Sequence, residues 1–198
     1  MKFLGPLLIG FAVAFVVGFG LTGLLSSAGV KNADWTVTWF PATFLGAFSA
    51  YIVGNLAGNR KVAAASDADR QAALTFAAPP GACRIYVVRE GFVGKAAGLN
   101  VTLDGQPVTQ LKAPRFTSVV TAPGRHVLGV GFGGLAGPQN TPAEEVLELA
   151  AGDVAAVRAS ISMGALKNTI RLERVPLDDT LRAKLARMTM VGPETVQA

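Results

Sequence analysis

Two long segments without a charged side chain constrain this 198-residue sequence more than any other feature. The first runs from Phe3 to Val30, and the second runs from Trp35 to Asn59. An α-helix rises about 1.5 Å per residue, so about 20 apolar residues cross a hydrocarbon core of about 30 Å. The two segments therefore predict membrane-spanning helices over about residues 3–25 and 36–58, joined by a short linker as an antiparallel hairpin.

The first segment has one alternative interpretation, a cleavable signal peptide. Ser26-Ser27-Ala28 would then form the cleavage site. The apolar core of a signal peptide is normally about 7–15 residues long. The observed segment is longer than that, which favours a retained span.

Small residues recur every fourth position in both spans. Residues four apart share one face of a helix, and small side chains there let two backbones approach closely in lipid. The pattern predicts a packing face on each span, and it leaves open whether these faces meet each other or a partner protein. The small residues are Gly10, Ala14, Gly18, Thr22 and Ser26 in the first span, and Ala42, Gly46, Ala50, Gly54 and Gly58 in the second.

Basic residues near the span ends predict the orientation. Lys2 precedes the first span, Arg60 and Lys61 follow the second, and the connecting loop has only Lys31 beside Asp34. Because basic residues favour the cytoplasmic side, both termini are predicted to be cytoplasmic in a bacterial inner membrane. A periplasmic location of the C-terminal domain is the alternative.

The composition changes after residue 58. Residues 59–80 form an alanine-rich connector, which we expect to extend the second helix out of the bilayer until Pro79-Pro80 stops it. Apolar alternation over residues 81–176 predicts seven or eight short strands, and hence an all-β antiparallel sandwich. The expected fold is thus a membrane α-helical hairpin followed by a β-sandwich with a C-terminal helix.

The turn signals predict three hairpins within the sandwich. Asp104-Gly105 closes the first, because both residues tolerate the positive φ angles of a type I′ turn. The other two join 116–120 to 126–132 across Ala122-Pro123-Gly124, and 146–149 to 154–161 across Gly152-Asp153, before a last strand over 169–175.

An amphipathic helix is predicted over residues 177–191, followed by a tail over 192–198. Leu181, Leu185 and Met188 share one face of this helix. That face is expected to pack against the sheet, and the alternative is a basic helix lying on the membrane surface.

Several motifs of this domain resemble a bacterial domain family of unknown function that is related to PEGA-type domains. They are the strand Ile85-Tyr86-Val87-Val88-Arg89, the Asp-Gly hairpin of Val101–Val108, the Pro-Gly-x-His turn of Ala122–Leu128 and the turn Ala150-Ala151-Gly152-Asp153. The resemblance covers about residues 79–190 and implies a PEGA-like or transthyretin-like sandwich without catalytic residues. Members of the family are commonly exported, often as lipoproteins, whereas this chain has a two-span hairpin in place of a lipobox cysteine.

The sequence predicts no cofactor, metal or catalytic site. Residues 129–134 match G-x-G-x-x-G, but Leu135–Pro142 cannot start the helix that a dinucleotide site requires. His126 is the only histidine and is expected to cap or pack a turn, although a hidden hydrolase that depends on it is a further possibility. Cys83 is expected to be a small buried residue.

Three nearby carboxylates could suggest calcium but lack the loop that a calcium site needs, so they predict a solvated strand edge. These are Glu144, Glu145 and Glu148.

The functional prediction follows from these exclusions. The chain has 18 basic and 13 acidic residues without a basic run, which gives nucleic-acid binding no support. We expect a non-enzymatic membrane protein that contacts lipid and presents a sandwich to a protein partner or to another copy, as an accessory or scaffold subunit. The alternative is an extracytoplasmic module for cell-wall glycan or another envelope ligand. The candidate binding loop contains Gly131, Gly133, Gly134, Gln139 and Asn140.

Overall fold

The chain folds as two compact units, Met1–Gly58 and Asn59–Ala198. Their structure is a computed structural model, which describes residues 4–30, 34–92, 94–134, 137, 142–162 and 169–193. The first unit is helical, and the second contains every described strand.

The first unit consists of two helices, α1 (Leu4–Ser27) and α2 (Trp35–Leu56). Both are long and apolar enough to cross a membrane by length and composition. Asp34 caps α2 by accepting a hydrogen bond of 3.0 Å from the backbone N–H of Thr36. Most large side chains of the helices face outward, which is the opposite of what the core helix of a soluble protein shows.

The second unit is built from two sheets packed face to face. The strands are β1 (Cys83–Arg89), β2 (Leu99–Leu103), β3 (Gln106–Leu111), β4 (Arg115–Thr121), β5 (Gly124–Phe132), β6 (Ala143–Leu149), β7 (Val154–Ser162), β8 (Thr169–Arg174) and β9 (Thr189–Met190). One sheet has the order β8-β7-β1-β4-β9, and the other has the order β3-β2-β5-β6. The predicted helical hairpin and β-sandwich are therefore confirmed.

Strand β1 lies at the centre of the larger sheet and is buried along its whole length. Ile85 and Val87 belong to the core between the two sheets. Tyr86 and Val88 face the other way and belong to a second core, beneath the helices. This double burial explains the continuous apolar run in the sequence, because neither face of the strand meets water.

Helices α3 (Asp67–Leu74) and α4 (Asp179–Arg187) cover the outer face of the larger sheet. Leu181 and Leu185 of α4 are buried with Tyr86 and Phe116. The predicted packing of the C-terminal helix against the sheet is therefore confirmed, and the alternative of a membrane-surface helix is wrong. The helix is shorter than predicted, because Met188 turns to an extended conformation and β9 then joins the sheet.

The β2–β3 hairpin is confirmed. Asp104 and Gly105 both have positive φ, at 52° and 78°, as the predicted two-residue turn requires.

The other two predicted hairpins are wrong. β4 pairs with β1 in the larger sheet, whereas β5 pairs with β2 and β6 in the smaller one. β6 and β7 are likewise in different sheets, since β7 pairs in parallel with β1. Short turns can join strands across a sandwich as well as within a sheet, so the turn signals alone did not decide the pairing. The larger sheet is consequently mixed rather than wholly antiparallel.

The connector also differs from the prediction. The second helix ends at Leu56, and α3 is a separate helix whose N-terminus is capped by Ser66. Between them the chain is extended, and Ala64 forms a β-bridge with Val191. The alanine-rich residues thus belong to the sandwich unit, because hydrogen bonds to the segment after β9 hold them there.

Candidate functional site

The small residues of α1 and α2 bring the two helices of the first unit into close contact. A Cβ atom added at Gly10 would lie 2.6 Å from the carbonyl oxygen of Gly46 and 2.7 Å from Cβ of Ala50. One added at Gly46 would lie 2.5 Å from the carbonyl oxygen of Gly10 and 2.7 Å from Cβ of Ala14. At these positions the two predicted packing faces meet each other.

The contact continues toward the loop between the helices through an aromatic side chain. A Cβ atom at Gly18 would lie 2.7 Å from the indole ring of Trp39. Ala42 and Gly54 are buried. Thr22 is exposed, and its hydroxyl donates to the carbonyl of Gly18 at 2.8 Å. The two remaining predicted positions lie off the contact: Ser26 is exposed, and Gly58 follows the end of α2.

The predicted binding loop is only partly described. Gly131 lies in β5 opposite Asn100 of β2, and Gly133 and Gly134 follow the end of that strand. Gln139 and Asn140 fall outside the described residues. The G-x-G-x-x-G match is explained by strand β5, which runs through Phe132, so this segment has the geometry of a strand and not that of a strand-to-helix loop.

The described residues 131–134 lie at the same end of the sandwich unit as Asn59, the first residue of that unit. The side chain of Asn59 donates to the carbonyl of Ala96 at 2.9 Å and accepts from the N–H of Gly98 at 2.7 Å. Strand register places Leu99 opposite Phe132, so the start of β2 and the end of β5 share that end. The β3–β4 connection and the C-terminal end of β7 lie there too, because β3 pairs with β2 and β7 runs parallel to β1.

His126 lies at the opposite end and joins two turns. Its Nδ1 is 2.7 Å from Oδ2 of Asp104, and its Nε2 is 2.8 Å from the carbonyl oxygen of Ala122. The hydroxyl of Thr121 is 3.5 Å from Nε2. The bonds to Asp104 and then to Ala122 raise the pKa of His126 above its ordinary value of 6.5. The bond to His126, with a second from the N–H of Val127, lowers the pKa of Asp104.

This geometry superficially resembles an acid–histidine–hydroxyl triad but lacks its chemistry. A carbonyl oxygen only accepts, so Nε2 donates to Ala122, and Nδ1 faces a carboxylate. Both nitrogens are therefore engaged as donors, which favours the imidazolium. A general base needs a free lone pair directed at the nucleophile, and His126 offers none to Thr121.

The other candidate groups have structural partners. Cys83 is fully buried, as predicted, and its thiol lies 2.9 Å from the carbonyl oxygen of Ala150. The three glutamates lie on β6, an edge strand of the smaller sheet. Glu145 pairs with Arg174 at 2.7 Å, and Glu148 lies 3.6 Å from Arg125. Among the described residues, no group of three His, Cys, Asp or Glu side chains is placed to hold a metal ion.

A groove of about 840 Å³ runs along the outer edge of β4. β9 pairs only with Arg115 and Phe116, and the chain then turns away, so that the N–H of Gly192 donates to Ala63. Within the described residues, no strand continues beside Ser118–Thr121. The groove is lined by both sides of this gap: Val62–Ser66, Asp69, Ala72, Arg84, Ser118–Val120, Met190, Gly192 and Pro193.

The backbone of β4 directs hydrogen-bonding groups into this groove. The carbonyl of Phe116 accepts from the N–H of Val191, so Phe116 faces away from β1. Backbone groups alternate in direction along a strand, so those of Ser118 and Val120 also face outward. The side chain of Val120 is 47% exposed, which is unusual for an apolar residue of the larger sheet.

One buried cation lines the groove. Arg84 is only 6% exposed, and its guanidinium donates to the carbonyl of Ala77 at 2.7 Å and to the hydroxyl of Ser118 at 3.0 Å. Both acceptors are neutral, and no carboxylate of the described residues lies within 4.0 Å of it. Sequence reasoning missed this site, although Arg84 at the start of a strand buried on both faces was a usable signal.

Comparisons with known proteins do not assign the chain to a family. No protein-family model matches the sequence, and no curated protein matches it significantly. The PEGA-like resemblance therefore stays a prediction, supported by strand and turn motifs alone.

The helix contact yields a first prediction. Gly46→Ala in the full chain should destabilise the helical hairpin, because the new Cβ would lie 2.5 Å from backbone and 2.7 Å from Ala14. Gly20→Ala is the matched control, since a Cβ there meets nothing within 4 Å. Circular dichroism during titration of micelles with SDS should show earlier loss of helix for Gly46→Ala only. Equal curves for the two variants would contradict the contact.

The His126–Asp104 pair predicts a pH dependence of stability. Because the pKa of His126 is raised in the folded state, its contribution is complete below about pH 6.5 and is lost as the pH rises through that raised pKa. Because the pKa of Asp104 is lowered, its contribution is present above about pH 3.8 and is lost as the pH falls through the lowered pKa. The free energy of unfolding of residues 59–198 should therefore decline above neutral pH, and His126→Gln should flatten this decline. A decline unchanged in His126→Gln would assign it to other groups.

Proposed function

We propose that this chain is a non-enzymatic integral membrane protein whose β-sandwich binds an extended segment of a partner protein at the open edge of β4. The observation that carries the proposal is a combination of two features: among the described residues, no strand pairs with β4 beyond Phe116, and the buried cation Arg84 lies beside that edge. Such a protein would act as an accessory or scaffold subunit of a membrane complex.

The strand edge supports binding of an extended peptide. An exposed edge is a template for a further strand, and β-addition uses the outward N–H and C=O groups for affinity. The outward backbone of Ser118 and Val120 provides such groups for a short strand. The groove beside them is open and bounded on its far side by Val62–Ser66 and α3, which gives a bound segment a second wall.

Arg84 supports the choice of an acidic segment. Moving a guanidinium out of water is costly unless its charge is compensated, and its present acceptors are neutral. A carboxylate of the bound segment would form a charge-assisted hydrogen bond, which is roughly twice as strong as a neutral one. We therefore infer an Asp or Glu in the partner segment, placed to reach Arg84.

The non-enzymatic part of the proposal is supported by the engagement of His126. It is the only histidine of the chain, and both of its ring nitrogens bond to neighbouring turns. Its contacts explain its presence without a catalytic role.

The membrane part of the proposal is supported by the outward-facing apolar side chains of α1 and α2. Basic residues around the spans favour an inner-membrane protein with both termini in the cytoplasm. The chain should remain in the membrane pellet after an alkaline carbonate wash. A fluorescent protein fused behind residue 198 should fluoresce, and alkaline phosphatase at the same position should be inactive. An active phosphatase would favour the alternative, an extracytoplasmic module for glycan or another envelope ligand.

Photo-crosslinking tests the proposed edge. A photoreactive phenylalanine analogue at Val120 in cells should yield one discrete product, whereas the analogue at the exposed Val146 of β6 should not. Arg84→Gln should abolish the Val120 product, because it removes the charge and leaves the backbone of β4 unchanged. Arg171→Gln on β8 is the matched control and should leave the product unchanged, because Arg171 is exposed and far along the sheet from β4.

Two further results define the outcome. Val120→Pro removes an outward N–H at an edge position and should weaken crosslinking from a neighbouring site such as Thr121. Circular dichroism should show that each variant remains folded. Equal products from Val120 and Val146 would overturn the proposal, and a product of twice the chain mass would assign the edge to a second copy.

A further inference from the structure

The β1–β2 loop presents one of the most exposed apolar side chains of the sandwich unit. Phe92 is 90% exposed, whereas the other phenylalanine side chains of this unit are buried or half-buried. Exposing a large aromatic ring to water loses the favourable free energy of burying its apolar surface. A ring in this position needs an apolar environment that the sandwich itself does not provide.

The loop that carries Phe92 is internally braced. The N–H of Lys95 donates to the carbonyl of Phe92 at 3.2 Å, and that of Ala97 donates to Gly94 at 2.9 Å. Gly94 has φ of +60°, a conformation that suits glycine, and a Cβ there would lie 2.8 Å from Ile161. The ring is thus displayed on a defined turn.

A fully buried arginine holds both sides of this turn. The guanidinium of Arg89 donates to the carbonyl of Glu90 and, at 3.4 Å, to the carbonyl of Gly94. Burial also lowers the pKa of Arg89, which reflects the cost of keeping this cation away from water. The hydrogen bonds of Arg89 to both sides of the turn offset part of this cost and hold the turn in place.

The same loop is attached to the chain where it emerges from the second span. Asn59 bonds to Ala96 and to Gly98, and Asn59 is three residues beyond Leu56, the last residue of α2. Three residues reach at most about 10 Å. The polar layer of a bilayer is about 5–8 Å thick on each side, so the loop lies within reach of it.

The charges around this end suit a lipid surface. Arg60, Lys61 and Lys95 are all exposed and lie next to Asn59 or within the loop. Aromatic rings favour the membrane interface, and basic side chains favour anionic head groups. Asp and Glu are absent from residues 59–66 and 91–98.

We propose that the Phe92 loop is a membrane-contact site, at which the ring enters the interfacial layer while Arg60, Lys61 and Lys95 face anionic head groups. The inference rests on the proposed membrane insertion of α1 and α2.

The test uses the full chain in nanodiscs that contain one-third anionic phospholipid. Cys83→Ala removes the native thiol, and a fluorophore is then attached at Ala96→Cys in the loop or at Ala151→Cys at the opposite end. Lipids brominated near the head group should quench the label at residue 96 and leave the label at residue 151 unquenched. Adding Phe92→Ser should abolish most of the quenching at residue 96.

Val146→Ser is the matched control, because it also removes an exposed apolar side chain but lies away from the loop, opposite Val127 of β5. It should leave the quenching at residue 96 unchanged. Equal quenching at 96 and 151, or quenching at 96 that is unaffected by Phe92→Ser, overturns the contact site while membrane insertion stands. Failure of the chain to remain with the nanodiscs instead overturns the membrane proposal on which the inference rests.

Discussion

The burial of β1 on both faces and both edges is the constraint on which the sandwich unit depends. Ile85 and Val87 require the smaller sheet on one side, while Tyr86 and Val88 require the helices on the other. Its edges are covered by β4 and β7, which run in opposite directions relative to it. A strand with this environment lies inside a sheet rather than at its margin, and the chain crosses between the sheets after β1, β3, β4 and β6.

The two arginines at the ends of β1 connect this core to the proposed sites. Arg84 is the second residue of the strand and lines the groove beside β4. Arg89 is the last residue of the strand and organises the Phe92 loop. Each guanidinium is removed from water and bonds to backbone carbonyls or a hydroxyl. Because burying a cation is costly, these acceptors offset part of the cost of placing the two side chains out of water. Strand β1 therefore connects the core to both candidate contact surfaces, the groove at one end and the Phe92 loop at the other.

Much of the fold was predictable where the signal was local. The Asp104-Gly105 turn was recognised from two residues, because only a few sequences tolerate positive φ twice in succession. The remaining strand pairings depended on contacts far apart in the sequence. β9 has two residues and no periodicity of its own, and it exists because Val191 bonds to Phe116 after α4. Capping of α3 by Ser66 was a local signal that the alanine-rich composition obscured.

The candidate sites were less predictable for the same reason. His126 and Asp104 are far apart in sequence, and the pairing of β2 with β5 brings them together. The role of Asn59 required knowing that the β1–β2 loop returns to the first residue of the sandwich unit. In the sequence, Arg89 is an ordinary charged residue at a strand end. Only its burial and its hydrogen bonds to Glu90 and Gly94 show that it supports a turn.

The packing of the two helices bears on where a protein partner can bind. Gly10 and Gly46 pack against each other, so this part of the small-residue faces is already used within the hairpin. The outward surfaces carry large aromatic side chains such as Phe11 and Phe44, which suit lipid tails. Close helix–helix association in lipid depends on small residues, and the described outward surfaces offer few of them in register. The proposed recognition of a protein partner is therefore assigned to the sandwich, because the edge of β4 that no described strand covers offers directional hydrogen bonds that a lipid-facing helix lacks.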